Sequence, residues 1–273
     1  MFKDILLYLK DDGHEVEHTA ITAEMAAAWG ARLTGLAVAE PLAAHAEYLP
    51  PDALDRYREA WEARNARLGQ VFNDGTAAYD IATEWRAVED LRIDRAAVDI
   101  IAMHARYADI AVVGQVDPNR PADLVPADLP GQVALLAGRP VLALPYAWEP
   151  TPIGQRIVIG WNGGREAARA IADAMPFLKA ASEVAVLMVD RQGELPGADI
   201  CGYLARHGVN VEAVALADSG ISVADSLLST AADRNADLLV MGAYGRSRLR
   251  EMILGGTTRR ILSEMTLPVL LSH

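Results

Sequence analysis

Four glycines near the end of the chain have a spacing that suits the binding of an oxygen-rich ligand. They are Gly242, Gly245, Gly255 and Gly256, and they lie between an apolar stretch and a stretch with helical periodicity. Because glycine has no Cβ, its backbone N–H groups can approach phosphate oxygens closely, and it readily adopts the positive φ that such a turn often needs. The spacing therefore indicates a phosphate cradle.

Two threonines, Thr257 and Thr258, follow the glycine pair and open the predicted helix. The first N–H groups of a helix lack intrahelical partners, and the helix dipole favours an anion there. The hydroxyls are candidates for phosphate binding, and N-capping is an equally good interpretation of them. The arginines beside this stretch, for which a solvated helix face is the first interpretation, are Arg246, Arg248, Arg250, Arg259 and Arg260.

The composition of the chain excludes several classes of protein. Its 273 residues are 52% hydrophobic and 23% charged, which is typical of a globular protein with one large core or two modest ones. The net charge of −12 argues against a nucleic-acid partner. Apolar runs are too short for a membrane span and the first residues lack a signal-peptide pattern, so we expect a cytoplasmic protein. The single cysteine, Cys201, excludes an intramolecular disulfide.

An internal repeat divides the chain into two halves. The segment ADIAVVGQ at 108–115 recurs as ADLLVMGA at 236–243, and RPVLALP at 139–145 recurs as LPVLLSH at 267–273, with the same separation. We therefore predict two domains, 1–147 and 153–273, joined by a proline-containing linker. The first half is longer, and we expect its extra residues, from Pro51 to Phe72, to form a longer helix.

Near-continuous apolar strands alternate with amphipathic helices in both halves. This pattern predicts an α/β fold of two repeated Rossmann-like domains, each a five-stranded, mainly parallel sheet with helices on both faces. Ligands in such sheets bind at the carboxyl ends of the strands where the strand order reverses, and the glycine stretch follows the fourth strand. We expect the last strands of the two halves, 141–144 and 269–271, to pair, because an open apolar edge invites aggregation.

The spacing Gly-x2-Gly-x9-Gly after the fourth strand resembles the nucleotide-binding signature of the universal stress protein family. The resemblance covers both halves, so the chain resembles a tandem two-domain member of this family, which has the adenine nucleotide alpha hydrolase-like fold. It implies that the glycine motif holds ribose and phosphates, and that residues after strand one and at the end of strand two hold the nucleoside. The implied binding residues are Gly160, Trp161, Asn162, Val189, Met241, Gly242, Gly245, Gly255, Gly256, Thr257 and Thr258.

Three residues of this set depart from the family pattern. Asn162 stands where the family has an Asp, so it keeps an acceptor oxygen but has no charge. Gly256 stands where a Ser commonly supplies a hydroxyl to phosphate, and Trp161 is bulkier than the usual residue. Backbone N–H groups survive all three changes, so we expect nucleotide binding to persist but to weaken.

The first half departs further from the same pattern. Gly114 matches Gly242, but Asp117 replaces the second glycine and Lys10 occupies the family's Asp position. The segment 127–129, Ala-Asp-Leu, replaces the last two glycines and the threonine. We therefore interpret the first half as a structural or regulatory partner.

The resemblance implies a stress-response or signalling protein that binds ATP or another adenine nucleotide in its second domain, with little or no catalysis. The alternative is a nucleotide-free dimerisation or interaction module of the same family. A slow ATPase would need a general base that the sequence does not reveal, so we predict no catalytic residue. Expected partners are the nucleotide, the other domain of the chain and a second copy in a homodimer, but neither nucleic acid nor membrane.

The stretch HEVEH, from His14 to His18, matches the H-E-x-x-H pattern of zinc proteases. A catalytic zinc needs a third protein ligand, and here the pattern lies at the very start of the first predicted helix. We therefore expect a solvated helix and no bound metal.

Overall fold

The computed structural model of the chain describes residues 1–39, 52–89, 96–118, 126–189, 197–216, 220–245 and 256–273. Contacts within the chain divide it into two compact units, Met1–Ala137 and Gly138–His273. Both units alternate strands with helices, and the predicted α/β fold with a mainly parallel sheet is confirmed.

The described residues of the first unit form four strands in the order β3-β2-β1-β4, and the paired strands are parallel. Its strands are β1 Asp4–Tyr8, β2 Arg32–Val38, β3 Thr83–Val88 and β4 Ile110–Gly114. Its helices are α1 Glu15–Trp29, α2 Ala53–Thr76, α3 Ala97–Ala105 and α4 Leu129–Ala137. The 24-residue helix α2 confirms the longer helix that we predicted for the first half.

In the second unit, the part of the chain that the structure describes forms six strands in the order β5-β10-β9-β6-β7-β8. Its strands are β5 Val141–Leu144, β6 Arg156–Trp161, β7 Glu183–Val189, β8 Val211–Leu216, β9 Leu238–Gly242 and β10 Val269–Ser272. Its helices are α5 Arg165–Asp173, α6 Met175–Ala180, α7 Gly197–Arg206, α8 Val223–Asp233 and α9 Thr257–Glu264. Neighbouring strands are parallel except at β5, which runs antiparallel to β10.

The pairing of β5 with β10 confirms the predicted contact between the last strands of the two repeats. Leu142 lies opposite Leu270 in this ladder, and both strands are fully buried. Because contacts divide the chain after Ala137, β5 is grouped with the second unit and not with residues 1–137. The assignment of 1–147 and 153–273 as domains stays a prediction.

Sequence repetition is reproduced in the local structure of the two units. The central strands are buried along nearly their whole length, as strands covered on both faces must be. Ser222 caps α8 by accepting a 3.1 Å hydrogen bond from the N–H of Asp225. The helix after the fourth strand begins at equivalent positions of the repeat, Leu129 in the first unit and Thr257 in the second.

Helix α5 packs against β9 at a glycine that has no room for a side chain. A Cβ on Gly242 would lie 2.5 Å from the carbonyl carbon of Glu166 and 2.6 Å from the backbone nitrogen of Ala167. By contrast, the nearest described atoms to a Cβ on Gly245 would be at 3.6 and 3.7 Å, an ordinary contact distance. Gly242 is therefore required for packing, whereas the fold leaves space for a methyl group at Gly245.

In the first unit, the equivalent glycine faces a buried histidine. A Cβ on Gly114 would lie 2.7 Å from Cε1 of His18, whose exposed fraction is 4%. Burial, with a smaller contribution from the nearby His14 and against the opposing charge of Glu15, lowers the pKa of His18 to about 4. The ring is therefore neutral at physiological pH and acts as a packing group.

We predict that Gly242→Ala lowers the free energy of unfolding by about 1–3 kcal/mol, because the backbone of α5 must move to admit the methyl group. Gly245→Ala is the matched control, and its effect on stability should be small or slightly favourable. Urea denaturation of both variants measures the difference. Equal destabilisation by the two substitutions would contradict the packing role of Gly242.

Because His18 is buried with its ring uncharged, we predict that the protein loses stability in mild acid. Between pH about 6.5 and about 4 the unfolded chain binds a proton at His18 that the folded chain does not. The free energy of unfolding should therefore fall as the pH is lowered through this range, by at most about 1.4 kcal/mol per pH unit from this one group.

Urea denaturation at pH 7, 6 and 5 tests this pH dependence with His18→Gln, which should flatten the slope even if it also lowers stability at pH 7. The exposed His207, directly after α7, provides a control variant, His207→Gln, which should retain the wild-type slope. An unchanged slope in His18→Gln would show that other groups cause the acid sensitivity.

Candidate functional site

The order of strands in the second unit reverses between β6 and β9. The chain passes from β6 to β7 and then to β8 on one side, and returns to β9 on the other side of β6. Crossovers in opposite directions leave a crevice at the carboxyl ends of these two strands, which is where open α/β sheets bind ligands. Trp161 ends β6 and Gly242 ends β9, so the predicted site residues lie at this crevice.

The loop after β9 is tied to the first turn of α9. The N–H of Tyr244 donates a 3.2 Å hydrogen bond to Oγ1 of Thr258, whose exposed fraction is 2%. Tyr244 has a φ of +50°, whereas neither Gly242 nor Gly245 is among the residues with positive φ. The positive φ in this turn therefore belongs to Tyr244, whose N–H is held by Thr258.

The start of α9 is open to a ligand. Gly256 precedes the helix with a φ of −58° and a ψ of 160°, and no side chain of the described residues caps it. Thr257 is the first helical residue and is partly exposed, while Thr258 uses its hydroxyl as an acceptor within the fold. Neither threonine therefore acts as the N-cap, and Gly255 lies outside the described residues.

The loop after β6 holds Asn162 in a fixed orientation. Oδ1 of Asn162 accepts a 2.8 Å hydrogen bond from the N–H of Gly164, the residue that precedes α5. This bond assigns the amide, so that Nδ2 is the atom turned towards Gly245, 3.7 Å from where a Cβ would lie. The acceptor oxygen that the sequence offered to a ligand is therefore engaged in the loop.

Glu166, which the sequence analysis did not select, places a carboxylate in the crevice. Its side chain is 8% exposed, and Oε1 accepts a 2.7 Å hydrogen bond from Nε of Arg165. Oε2 lies 3.6 Å from where a Cβ on Gly245 would be. Burial alone would raise the pKa of Glu166, but the hydrogen bonds from Arg165 and from its own N–H, with the charges of Arg165 and His273, hold it below its usual value.

His273 also reaches this site from β10. Its Nδ1 lies 2.9 Å from the carbonyl oxygen of Ala243, and the N–H of Ala243 donates to the carbonyl of Ser272 at 2.8 Å. The end of β10 therefore supports the loop that follows β9. One feature of the sequence indicated a functional role for Glu166, its position two residues after the glycine pair in WNGGREA. No sequence pattern indicated a role for His273.

Two buried polar atoms of the described residues lack a hydrogen-bond partner, and both flank Gly242. They are Nε1 of Trp161 and Oγ of Ser272. Ser272 pairs with Gly242 across β10 and β9, and Trp161 follows Gly160, which pairs with Met241 across β6 and β9. Polar groups without partners are uncommon in protein interiors and indicate a place for water or a ligand atom.

The remaining predicted residues lie around the same crevice in different roles. Gly160 packs beneath α8, where a Cβ would lie 3.3 Å from Cδ1 of Leu227. Met241 is 5% exposed, and Val189 ends β7, the strand beside β6. Arg260 pairs with Asp225 at 2.9 Å, whereas Arg246, Arg248 and Arg250 lie outside the described residues.

The equivalent region of the first unit is filled by its own side chains. His18 packs over Gly114, and Arg67 of α2 forms ion pairs with Glu15, at 2.7 Å, and with Asp11. Asp128 accepts a 2.8 Å hydrogen bond from Gln132 within the first turn of α4. These contacts leave carboxylates where the second unit has glycines.

Among the described residues, no group of three or more His, Cys, Asp or Glu side chains could hold a metal ion. His14 and His18 of the HEVEH stretch have ring centroids 6.0 Å apart, and the second ring is buried.

The described helices include none that is long and apolar enough to cross a membrane. A cavity of about 290 Å³ lies at the amino ends of β6 to β8, the opposite end of the strands from the crevice.

Known proteins resemble the chain at the level of both sequence and fold. A sequence profile of the universal stress protein family matches residues 154–273. A universal stress protein from Synechocystis sp. is 47% identical over 38 residues, which are 14% of this chain and 13% of that protein. This match therefore spans about an eighth of the length of the curated relative.

Solved structures share the fold over nearly the full chain. A universal stress protein from Archaeoglobus fulgidus DSM 4304 has a TM-score of 0.72 and 17% identity, and the alignment covers 98% of this chain and 95% of that one. A functionally unknown protein from Pseudomonas aeruginosa PAO1 has a TM-score of 0.60 and 18% identity, covering 99% and 92%. Residues 154–273 therefore form a universal stress protein domain.

Proposed function

We propose that the second unit binds an adenine nucleotide, ATP or a close relative, at the carboxyl ends of β6 and β9. The observation that carries this proposal is the hydrogen bond from Tyr244 to Thr258, which holds the Gly242–Gly245 loop against the open start of α9. This bond brings the glycine backbone of the loop and the first N–H groups of α9, which have no partner within the helix, to the same crevice. Both features suit a phosphate chain.

In this proposal the phosphates are bound mainly by backbone groups. The N–H groups at the start of α9, with Gly255, Gly256 and Thr257, hold the terminal phosphates, and the helix dipole favours their charge. Gly245 allows the sugar to approach the backbone. The nucleoside lies towards β6 and β7, near Trp161, Asn162 and Val189, with Met241 beneath it.

The charges of the crevice support nucleotide binding with little or no turnover. Glu166 is an ionised, largely buried carboxylate paired with Arg165, so it is poorly suited to take a proton from water near neutral pH. We propose no catalytic residue. We further propose that the protein works in the cytoplasm as a stress-response or signalling protein and forms a homodimer.

A second candidate function is a nucleotide-free interaction module. The observation that favours it is the antiparallel ladder between β5 and β10, in which the last strand of one repeat completes an edge of the other. Isothermal titration of the full chain with ATP, ADP and cyclic AMP distinguishes the two functions. Mass spectrometry of ligands retained by the purified protein provides an independent measurement.

We predict that Gly245→Asp abolishes ATP binding. The new carboxylate would lie beside Glu166 and beside the bound nucleotide, where like charges repel. The matched control is Gly245→Asn, which has nearly the same shape without the charge and should retain more affinity. Calorimetric titration measures both variants, and equal affinity of Gly245→Asp and wild type would exclude a phosphate or sugar near Gly245.

We predict that Gly256→Ser strengthens ATP binding by roughly tenfold or more, because a hydroxyl donor to a charged phosphate contributes about 1.5–3 kcal/mol. Serine fits this position, since its φ is negative and N-cap positions favour serine. Gly256→Ala tests the change in backbone alone and should not strengthen binding. Equal affinities of the two variants would show that no phosphate lies at the start of α9.

A further inference from the structure

Two polar side-chain atoms face Gly245 across a small space, the Gly245 pocket. A Cβ at this position would have Oε2 of Glu166 at 3.6 Å and Nδ2 of Asn162 at 3.7 Å, with no other atom of the described residues within 4 Å apart from the chain neighbours. Because residue 245 is glycine, its own side chain does not keep a ligand atom from contacting Cα on this side.

Each of the two polar atoms is turned to this pocket because its partner atom is engaged elsewhere. Oδ1 of Asn162 accepts from Gly164, which leaves the NH₂ group facing Gly245. Oε1 of Glu166 accepts from Arg165, which leaves Oε2 facing the same point. The pocket therefore offers one strong acceptor and one donor.

A hydroxyl group matches this pair because it donates one hydrogen bond and accepts others. A hydroxyl oxygen in van der Waals contact with Cα of Gly245, beyond the Cβ position, can hydrogen-bond to these two atoms. A phosphate oxygen accepts only, and the Glu166 carboxylate would repel its charge. The pocket therefore selects a sugar hydroxyl over a phosphate.

We propose that Glu166 is a specificity-determining residue, whose carboxylate accepts a hydrogen bond from a sugar hydroxyl packed against the backbone of Gly245. Asn162 donates to the same hydroxyl. This inference rests on the proposed nucleotide-binding function. It also orients the ligand, because the sugar is placed at Gly245 and the phosphates are directed away from Glu166, towards the start of α9.

The first test compares ATP with its 2′-deoxy and 3′-deoxy analogues by calorimetric titration of the full chain. At least one analogue should bind roughly tenfold to hundredfold more weakly than ATP, the loss expected for one hydrogen bond to a charged group. Glu166→Gln should reduce this discrimination. The control is Asp173→Asn, the same change at the other end of α5, where Asp173 pairs with Arg169, and it should leave the discrimination intact.

Gly245→Ala provides a second test that does not disturb Glu166. Its methyl group fits the fold but fills the pocket, so ATP affinity should fall while the thermal unfolding midpoint is retained. This variant keeps the inference falsifiable if Glu166→Gln fails to fold. Unchanged ATP affinity in folded Gly245→Ala would overturn the inference.

The outcomes separate this inference from the proposed function. If wild type does not bind ATP, nucleotide binding and the role of Glu166 are both refuted. If wild type binds ATP and both deoxy analogues equally, nucleotide binding stands and the hydroxyl pocket is refuted. The role of Glu166 is also refuted if Glu166→Gln discriminates between the sugars as well as wild type does.

Discussion

The candidate site depends on the close approach of the backbone of α5 to Gly242. With 2.5 Å between a Cβ position on Gly242 and the carbonyl carbon of Glu166, no other residue fits without moving the helix. This approach brings the first turn of α5 over the end of β9. It thereby places the Glu166 carboxylate and the Asn162 amide beside Gly245, three residues further along the chain. Gly242 therefore serves the site through packing and Gly245 through open space.

A second constraint fixes the far side of the crevice. Tyr244 adopts a positive φ that is uncommon for a residue with a side chain, and its N–H donates to the buried hydroxyl of Thr258. His273 adds a contact to Ala243 from β10. The loop after β9 is thus held from α5, α9 and β10, which is the kind of support that a binding site needs to keep its geometry.

Much of the fold followed from sequence patterns because those patterns are local or repeated. Alternating apolar strands and amphipathic helices predicted the α/β sheet, the repeat predicted the pairing of β5 with β10, and the extra length of the first half predicted helix α2. Glycine spacing after the fourth strand predicted where the crevice would lie. The sequence did not indicate the conformation of the turn, because a positive φ is usually expected at a glycine, whereas here it belongs to Tyr244, whose N–H donates to Thr258.

Glu166 could not have been selected from the sequence for a related reason. An acid in the first turn of a helix usually stabilises the helix dipole, and only the contact with Gly242 turns this carboxylate into the crevice. The orientation of the Asn162 amide could not be predicted from the sequence either, since its oxygen accepts a hydrogen bond from the N–H of Gly164, two residues away. Both features depend on contacts between side chains and backbone in the folded chain, and the spacing of residues in the sequence does not predict such contacts.

The two units show how one glycine position can lead to different sites. In both, the glycine at the end of the fourth strand has no room for a Cβ, but the atom that fills the space is a histidine ring at Gly114 and helix backbone at Gly242. A side chain occupies the space over the strand end in the first unit, and Arg67 from the longer helix α2 forms ion pairs with Asp11 and Glu15 nearby. Backbone over the strand end instead leaves room beside it, where Gly245, Asn162 and Glu166 meet. The two units therefore differ at this place because a side chain packs on the glycine in one and helix backbone packs on it in the other. This difference does not depend on the residues that would contact a ligand.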